Sequence, residues 1–425
     1  MSGGAPRNRY QELTPTNSFD RSRGAGVGPF DGMAGFDSRE GGARGGADAA
    51  AQQSGKDESK QETEAVLRRT VPWDTYQKAD LISDRELQLI RRYDKKPRDA
   101  RRALLVEDGP LYATAFLSLL RSIASEEVVQ YVLALVEEMV VDFAGEPEVG
   151  VMDAFAGAGA GAGEVAAILM RMLQRPDWFT KEKASFVLAS FLAHGATGVP
   201  SAAASGFDDD VMARTHAAFA EWLVGELRRP SSPRAGDHAV TCLSLLLRSR
   251  DDRTLLVRLN GVAPLLAAVD RAAVTCQTQT LYEACLCVWL LSFLPDAAAE
   301  LVRLGAPRKL LDAVKSSVKE KVVRAALAAL QNLLERAKAQ DANAGTGPGG
   351  GGGGGGVGAG EGGAEAQGAG AHAALLSALV EGGLAKVIHA QRLQSHSDQE
   401  LLDSMEWLTE KVERGVENET SSFEK

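Results

Sequence analysis

The chain has 425 residues, 44% of them hydrophobic, and a formal net charge of −10 at pH 7. The apolar content is sufficient for a large core, whereas the negative charge argues against a general nucleic-acid binder, which normally carries a basic face. The four cysteines all lie in apolar stretches of helical pattern, so we expect buried free thiols, as in a reducing cytosol.

Residues 1–62 are rich in Gly, Ala, Ser and Arg and show no hydrophobic periodicity. Such a composition offers too little apolar surface to offset the entropy of ordering, so we expect a disordered tail. Order is predicted to begin at residue 63, where apolar residues become frequent. Ser83 and Glu86 have the spacing of a capping box, which predicts a helix start.

A basic cluster follows this helix start, over residues 91–102. Two interpretations stay open: a solvated helix face with a linker, or a docking patch for an acidic helix. In the second interpretation Arg91, Arg92 and Arg98 are candidate partner-binding residues.

The segments after this cluster alternate helical hydrophobic patterns with short polar loops. We predict helices over residues 111–123, 126–143, 164–173, 179–194, 209–228, 237–247, 254–260 and 262–269. Residues 156–163 read AGAGAGAG, which loosely matches the Gly-x-Gly-x-x-Ala fingerprint of dinucleotide-binding proteins. Because no convincing strand precedes it, we predict a low-complexity loop instead.

A repeat appears in the next stretch. Residues 257–269 (VRLNG, then LLAAV) return 45 residues later in residues 302–314 as VRLGA and LLDAV. A fixed helical period in the low forties is typical of armadillo and HEAT repeats. The predicted fold class is therefore all-α, an armadillo/HEAT-like right-handed superhelical α-solenoid over residues 63–342.

A Gly-rich insert is predicted over residues 343–370, with eight consecutive glycines from Gly349 to Gly356, and it should be flexible. The repeat resumes over residues 371–425, where Leu379-Val380-Glu381-Gly382-Gly383 takes the place of VRLGA. A last helix is predicted over residues 398–416.

The third helix of an armadillo repeat lines the concave face, where an Asn in an Ala-Leu-x-Asn-Leu pattern can bond the backbone of an extended peptide. Asn332 lies in such a pattern, but the matching positions hold Ser190, Leu245 and Phe293. Without a ladder of Asn we expect an apolar groove for a helical partner, with Phe293 in it. Asn332 is either an internal bond or a ligand contact.

Three cations stand near the start of that last third helix: Lys319, Lys321 and Arg324. They either pair with an acidic partner or are ordinary solvated charges.

No set of catalytic residues is evident in the sequence. It has no Gly-x-x-x-x-Gly-Lys-Ser/Thr motif and no His-Glu-x-x-His motif. We therefore predict a protein that is not an enzyme and has no cofactor or metal site. Its longest apolar run, residues 284–294, is short of the ~20 residues that cross a bilayer, so any membrane association should be indirect.

Several stretches, in order, match one known family. They are VPWDTY from Val71, LIS from Leu81, VVQYVL from Val128, VWLLSF from Val288, SVKEKV from Ser317, and the tail from Leu402 that ends in SSFEK. Through them, residues 71–425 resemble the H subunit of the eukaryotic vacuolar-type proton ATPase.

The resemblance implies a cytoplasmic regulatory subunit of the peripheral V1 sector, on the cytosolic face of vacuolar and other endomembranes. Its solenoid would grip the peripheral stalk, a coiled coil of E-type and G-type subunits, and meet other V1 subunits. Neither nucleic-acid binding nor a homo-oligomer is expected.

In the family, the Ser-Ser-Phe tail is followed by a linker and a second domain that silences the detached peripheral sector. This sequence stops before that domain, so we expect it to bind the stalk without silencing ATP hydrolysis. The alternative is a generic armadillo scaffold for trafficking or signalling.

Overall fold

A computed structural model describes residues 54–158, 161–196, 209–232, 234–345, 370–394, 396 and 398–423, and these ranges contain helices and no strand. In chain order the helices are α1 (Ser54–Leu67), α2 (Trp73–Lys78), α3 (Asp84–Tyr93), α4 (Arg98–Ser122), α5 (Glu126–Phe143), α6 (Val151–Ala156), α7 (Ala162–Met172), α8 (Trp178–Ala196), α9 (Asp209–Arg228), α10 (Ala235–Leu246), α11 (Arg250–Arg258), α12 (Val262–Val274), α13 (Thr278–Ser292), α14 (Pro295–Arg303), α15 (Ala306–Ser316), α16 (Glu320–Gly345), α17 (Ala371–Glu381), α18 (Leu384–Arg392) and α19 (Gln399–Phe423).

The helices form two layers of repeating units. Five units have three helices, beginning at α3, α6, α11, α14 and α17, and α9 with α10 forms a unit of two. The second helices α4, α7, α9, α12, α15 and α18 pack in one layer, and the third helices α5, α8, α10, α13, α16 and α19 pack in the other. This arrangement confirms the all-α solenoid, and its handedness stays a prediction.

The core lies between the two layers. Each third helix contributes at least one fully buried apolar residue to it, such as Leu133, Leu188, Leu243, Val288 and Leu330. Burying one such side chain contributes about 1.5–3 kcal/mol. Because each third helix from α8 to α16 also packs against two neighbouring third helices, its apolar surface extends over most of its circumference.

The ordered part begins earlier than the boundary predicted at residue 62. Helix α1 starts at Ser54, and its side chains make polar contacts with distant helices, Ser59 with Glu182 and Glu62 with Arg234. Polar contacts of this kind leave no trace in a hydrophobic pattern, which is why the predicted start of order was too late.

Helix α3 starts as predicted, at a capping box. The Oγ of Ser83 accepts from the backbone N–H of Glu86 at 3.2 Å, and the Glu86 carboxylate accepts from the Ser83 N–H at 2.6 Å. Helix α4 is longer than predicted, because it begins at Arg98 and continues through a break at Asp108. Pro110 lacks an N–H, so a distortion here fits its missing hydrogen bond.

A residue with positive φ lies in the turn between the first and second helix of all five three-helix units, and in the first two units it is Lys95 and Gly161. Asn260 (φ 53°) and Gly305 (φ 76°) lie one period apart, as the repeat predicts. In the last unit the residue is Gly383 (φ 76°), one position after the Gly382 that the sequence alignment had placed there. Glycine adopts this backbone conformation without steric cost.

The chain leaves the solenoid before the Gly-rich insert and re-enters it afterwards at nearly the same place. Helix α16 continues to Gly345, α17 starts at Ala371, and residues 346–369 lie outside the described ranges. The carboxylate of Asp341 accepts from the backbone N–H groups of Ala371 and His372, both at 2.9 Å. Of the tail predicted over residues 1–62, residues 1–53 also lie outside the described ranges.

One helix in the described part, α4, has the length and apolar content of a membrane span, which the sequence pattern did not predict. It is interrupted at Asp108, and its Arg101 and Arg102 form ion pairs with carboxylates of α5 and the loop after it. Its buried residues, including Tyr112 and Phe116, belong to the solenoid core. These contacts are those of a core helix.

The cysteines differ in exposure. Cys242, Cys285 and Cys287 are buried and free, as predicted, and burial raises the pKa of the Cys285 thiol to about 12. Cys276 is exposed instead, because it lies in the short connection after α12 rather than in a helix.

Candidate functional site

The layer of third helices is the candidate functional surface, and consecutive helices in it are joined by polar side-chain contacts. The contacts, from α5 to α19, are Glu137–Lys183 (2.8 Å), Ser185–His238 (2.7 Å), Thr241–Glu283, Ser292–Asn332 (3.1 Å) and Arg324–Asp398. Buried polar groups are stable only when they are hydrogen-bonded. These residues therefore hold neighbouring helices together.

Asn332 is one of these internal contacts. It is 8% exposed, and its Nδ2 donates to the Oγ of Ser292 on α13. The Ser292 hydroxyl in turn donates to the carbonyl of Trp289 at 2.6 Å. Of the two interpretations of Asn332, the structure has the internal bond, so we do not carry it into the proposed partner surface.

The three cations around the start of α16 have different environments. Arg324 is largely enclosed and pairs with Asp398, the residue directly before α19. Lys321 is exposed, its Nζ lies 5.1 Å from the centre of the Tyr282 ring, and it donates to Gln279 at 2.6 Å. Lys319 is exposed just before the helix. Lys319 and Lys321 thus present charge at the surface, whereas Arg324 joins two helices.

Phe293 lies at the end of an apolar stripe along α13. The stripe consists of Tyr282, Leu286, Trp289 and Phe293, all half-exposed. The rings of Trp289 and Phe293 meet edge to face, with centroids 4.9 Å apart. Spacings of four, three and four residues place the stripe on one side of a helix, as in the apolar seam of a coiled coil.

The N-terminal part of the same layer is covered by α1. In α1 the side chain of Val66 is buried, Ser59 contacts Glu182 and Lys183, and Glu62 pairs with Arg234 at 2.6 Å. Helix α1 also packs on α5. The layer therefore has a covered part, at α5, α8 and α10, and an open part, at α13 and α16.

Burial and ion pairing oppose each other beneath α1. Burial disfavours the charged form of Glu182, yet His238, Lys183, Ser59 and Arg234 together hold the pKa of its carboxyl below the ordinary value. In Glu137 burial prevails over the attraction of Lys183, and the pKa of that carboxyl is raised. The lowered pKa of Glu182 therefore depends on these partners being in place.

The basic cluster at residues 91–102 is matched by carboxylates. Arg91 pairs with Asp74, Arg92 lies 3.7 Å from Glu107, and Arg98 pairs with Glu146. Hydrogen bonds from Arg102 and Arg98 hold the pKa of the Glu146 carboxyl below its ordinary value. Most of the positive charge is therefore compensated within the chain, which weakens the case for an acidic partner there.

Three residues of the stripe, Tyr282, Leu286 and Trp289, were not predicted as site residues. Helix α13 is apolar on nearly all sides, so the residues that lie at the surface cannot be told from those in the core by hydrophobicity. The stripe spacing was available as a signal, but only the packing of α10 and α16 against α13 shows which side is open.

Comparison with known proteins gives one family. The family model for the H subunit of the V-ATPase matches residues 57–412. A probable H subunit of the V-type proton ATPase from Oryza sativa subsp. japonica is 32% identical over 372 residues, which cover 85% of this chain and 73% of the relative. The corresponding H subunit of Dictyostelium discoideum is 28% identical, over 67% of this chain and 60% of that protein.

Solved structures with some likeness include designed helical-repeat proteins. A designed armadillo repeat protein, YIII(Dq)4CqI, aligns with a TM-score of 0.38 and 15% identity, over 58% of this chain and 98% of that chain. A TM-score this low does not establish a common fold. The assignment of an all-α solenoid rests on the helix packing within this chain.

The family model spans most of the described residues, and the Oryza sativa relative is 32% identical over 73% of its own length. The resemblance found in the sequence is confirmed: the chain belongs to the family of V-ATPase H subunits.

Proposed function

We propose that this chain is a non-catalytic regulatory subunit of the V1 sector of a proton-pumping ATPase, and that it binds the peripheral stalk. Through that attachment it supports ATP-driven proton transport and the acidification of organelles. Its place is the cytoplasm, on the cytosolic face of vacuolar and other endomembranes. Contact with the membrane is indirect, through the complex.

The observation that carries this proposal is the apolar stripe on α13. On a surface that faces water, a row of Tyr282, Leu286, Trp289 and Phe293 at seam spacing has an evident use as a contact for another helix. Between Tyr282 and Phe293 the helix rises by roughly 16 Å, so the stripe is long enough for three turns of a partner. Tyr and Trp are also the residues that most often dominate binding energy.

Exposed cations near this stripe favour an acidic partner. The ammonium group of Lys321 lies over the Tyr282 ring, and Lys319, two residues earlier in the chain, is exposed. Rim cations of this kind steer association and add specificity more than affinity. A helical stalk with carboxylates beside an apolar strip has the matching chemistry.

The test is binding of the full chain to a purified heterodimer of the E-type and G-type stalk subunits. Leu286→Glu places a charge in the middle of the stripe and should weaken binding at least tenfold. Val141→Glu is the control for a charge placed on the surface, because Val141 is a 50% exposed apolar residue on another third helix, α5, away from the stripe. Urea unfolding of both variants shows whether either has lost its fold.

Loss of binding in Leu286→Glu alone supports the proposal, and equal binding in all three proteins contradicts the assignment to the stripe. Failure of the unaltered chain to bind the heterodimer would contradict stalk binding itself. Affinity purification from cells then separates the alternative, because a generic armadillo scaffold would be recovered without rotary-ATPase subunits.

The chain alone should hydrolyse no ATP, since we propose that it is not an enzyme. Among the described residues, no three His, Cys, Asp or Glu side chains are grouped to hold a metal ion. Turnover by the purified chain that survives removal of contaminating ATPases would contradict this part of the proposal.

A further inference from the structure

The connection between α9 and α10, residues 229–234, places one serine beside two arginines. Arg228 and Arg229 lie three and two residues before Ser231, and the sequence holds the pattern Arg-Arg-x-Ser/Thr only here. Arg229 and Ser231 are both exposed, and neither belongs to a helix. Protein kinases select a serine through the charge pattern around it, so a pair of arginines suits a kinase with an acidic substrate groove.

A cavity of about 460 Å³ opens directly beside this serine. It is lined by Pro230, Ser231, Ser232, Gly236 and Arg271. The cavity is many times larger than the ~30 Å³ that one water occupies in the liquid, so it has room for a phosphoryl group. The Oγ of Ser232 is enclosed and, among the described residues, has no hydrogen-bond partner. Buried hydroxyl groups are normally hydrogen-bonded, so an acceptor in the cavity would complete this one.

Two positive groups meet at the cavity. Gly236 lies in the first turn of α10, whose first amide groups cannot be bonded within the helix and form the positive end of its dipole. A Cβ at Gly236 would meet the Nη2 of Arg271 at 3.0 Å, so the guanidinium packs against this helix end. A cation in that position is unfavourable unless an anion accompanies it.

The carboxylate of Asp237 is one such anion, and it leaves donors over. It accepts from the Nη2 of Arg271 at 3.0 Å, while the Arg271 side chain is still 39% exposed and a guanidinium has five N–H donors. The nearby carboxylate of Glu226 belongs to α9, accepts from the backbone N–H of Ser231 at 2.7 Å and does not line the cavity. The remaining donors suit a phosphate, which has three strong acceptor oxygens.

We propose that Ser231 is a phosphorylation site for a serine kinase that recognises basic residues, and that the adjoining cavity binds the phosphate through Arg271, the Ser232 hydroxyl and the first turn of α10. In the transfer, the Oγ of Ser231 bonds to the γ-phosphorus of ATP while the bond from that phosphorus to the β–γ bridging oxygen breaks. ADP leaves with the electron pair, and the hydroxyl proton passes to a carboxylate base of the kinase.

The bound phosphate joins two units of the solenoid. Ser231 lies between α9 and α10, whereas Arg271 lies on α12 of the next unit, which packs on α10. Because repeat units contact only their neighbours, a phosphate held between these two stabilises one particular interface. This inference goes beyond stalk binding and does not depend on it, since its test needs only the chain and a kinase.

The full chain is incubated with Mg-ATP and the catalytic subunit of cyclic-AMP-dependent protein kinase, which recognises arginines before its serine. Mass spectrometry locates the phosphate. We expect it on Ser231, at about one per chain, and Ser231→Ala should lose it. Ser232→Ala is the matched control, because the hydroxyl of Ser232 is enclosed and should not be the acceptor.

Arg229→Gln should lower the initial rate of phosphorylation about fivefold, because it removes one of the two recognised charges. Arg229 is the one to change, since the guanidinium of Arg228 also donates to the carbonyls of Leu259 (2.7 Å) and Asn260 (3.2 Å) in the next unit. An unchanged rate would contradict recognition through this pair.

Phosphorus NMR of the phosphorylated chain tests whether the cavity holds the phosphate. Pairing with a cation favours the doubly charged form, so the second pKa of the phosphate should be lower in the folded chain than in the same chain unfolded in urea. The carboxylates of Asp237 and Glu226 act in the opposite sense, and Arg229 acts in the same sense as Arg271. Arg271→Gln should raise the pKa toward the unfolded value, and Arg271→Lys should keep part of the difference.

The urea midpoint is a second measurement. Phosphorylation should raise it in the unaltered chain, because the phosphate joins α10 to α12, and should raise it less in Arg271→Gln. Unphosphorylated samples of each variant show what the substitution alone costs.

Phosphate on Ser232, or phosphorylation of the heat-denatured chain only, overturns the site. A second pKa that is the same in the folded and unfolded chains overturns the role of the cavity. The remaining outcome is that Ser231 stays unmodified while the chain binds inorganic phosphate and Arg271→Gln abolishes that binding; this result assigns the cavity to a free anion instead. Leu286→Glu should be phosphorylated like the unaltered chain, so a failure here is distinct from a failure of the stalk proposal.

Discussion

The two parts of the third-helix layer differ in whether their surface residues have a partner within the chain. The covered part, at α5, α8 and α10, carries buried charge and is closed by α1, whose Ser59 and Glu62 contact that charge. The open part, at α13 and α16, carries half-exposed aromatic residues and no covering helix within the described ranges. Polar residues that have an internal partner organise the chain, whereas apolar residues that face outward indicate an external partner.

The difference also separates stability from binding. Lys183 is 3% exposed between Glu137 and Glu182, so its removal leaves uncompensated buried charge. Leu286 is half exposed, so its removal costs little core. Substitutions in the two parts should therefore affect different measurements, with the largest effects on stability expected in the covered part.

Lys183→Met should lower the free energy of unfolding by about 3–5 kcal/mol, because breaking a buried ion pair leaves its partners unpaired. The long apolar stem is kept, so the loss reports the charge. Urea unfolding followed by circular dichroism measures the change. Lys338→Met, on the exposed face of α16, should change the midpoint very little. A small effect at Lys183 would contradict the view that this cluster holds the covered part together.

Leu291→Ala and Leu286→Ala contrast core with surface on the same helix. Leu291 is fully buried, so its truncation should cost about 2–5 kcal/mol, whereas Leu286→Ala should cost about 1 kcal/mol. Binding to the stalk heterodimer should show the reverse order among folded proteins. Equal stability losses would mean that Leu286 belongs to the core and that the stripe is not a surface.

The covered part should lose stability on acidification through Glu182. Because the pKa of its carboxyl in the folded state is lowered, its stabilisation is complete above the ordinary Glu range and is lost as pH falls through the folded pKa. Glu137 acts in the opposite sense, since its raised pKa means that protonation relieves a cost. Glu182→Gln should therefore flatten the acid side of the stability profile. A steeper acid loss in that variant would contradict the assignment.

The bond between Asn332 and Ser292 should have a coupling energy of about 1 kcal/mol in a double-mutant cycle with alanine at each position. Denaturant midpoints of the four proteins supply the cycle. Stalk binding should not change, because neither side chain reaches the surface. Additive effects would show that the bond does not join α13 to α16 energetically.

Glu62→Gln should give the smallest global effect. The Glu62 carboxylate, which pairs with Arg234, is 51% exposed, and ion pairs of this kind contribute at most about 1 kcal/mol. Amide hydrogens of α1 should nevertheless exchange up to about fivefold faster, while those of α13 stay unchanged. Faster exchange throughout the chain would show that α1 does not open separately.

Much of the fold follows from sequence regularity. The period of 45 residues, the capping box at Ser83 and the helix bounds of α5 and α9 were all predicted as they stand. The start of order at Ser54 was not, because the polar contacts of α1 link residues more than a hundred positions apart. A local sequence pattern cannot predict a contact between residues so far apart in the chain.

The candidate site was less accessible to sequence reasoning. Phe293 was identified through alignment with the position of Asn332, yet Phe293 is half exposed and Asn332 is buried, so alignment of the two helices did not preserve their orientation. Gln331, half exposed beside Asn332, is the residue of α16 that faces outward at this turn. A rotation of one residue on a helix is about 100° and cannot be read from hydrophobicity when both neighbours are apolar.

The bonds between consecutive third helices also have a mechanical consequence. In a solenoid each unit contacts only its neighbours, so bending is divided among many small rotations, one at each junction between units. A buried bond such as Ser292–Asn332 sets a restoring force for one such rotation. The chain should therefore behave as a spring with unequal stiffness along its length, most compliant where the bond between third helices is exposed to water.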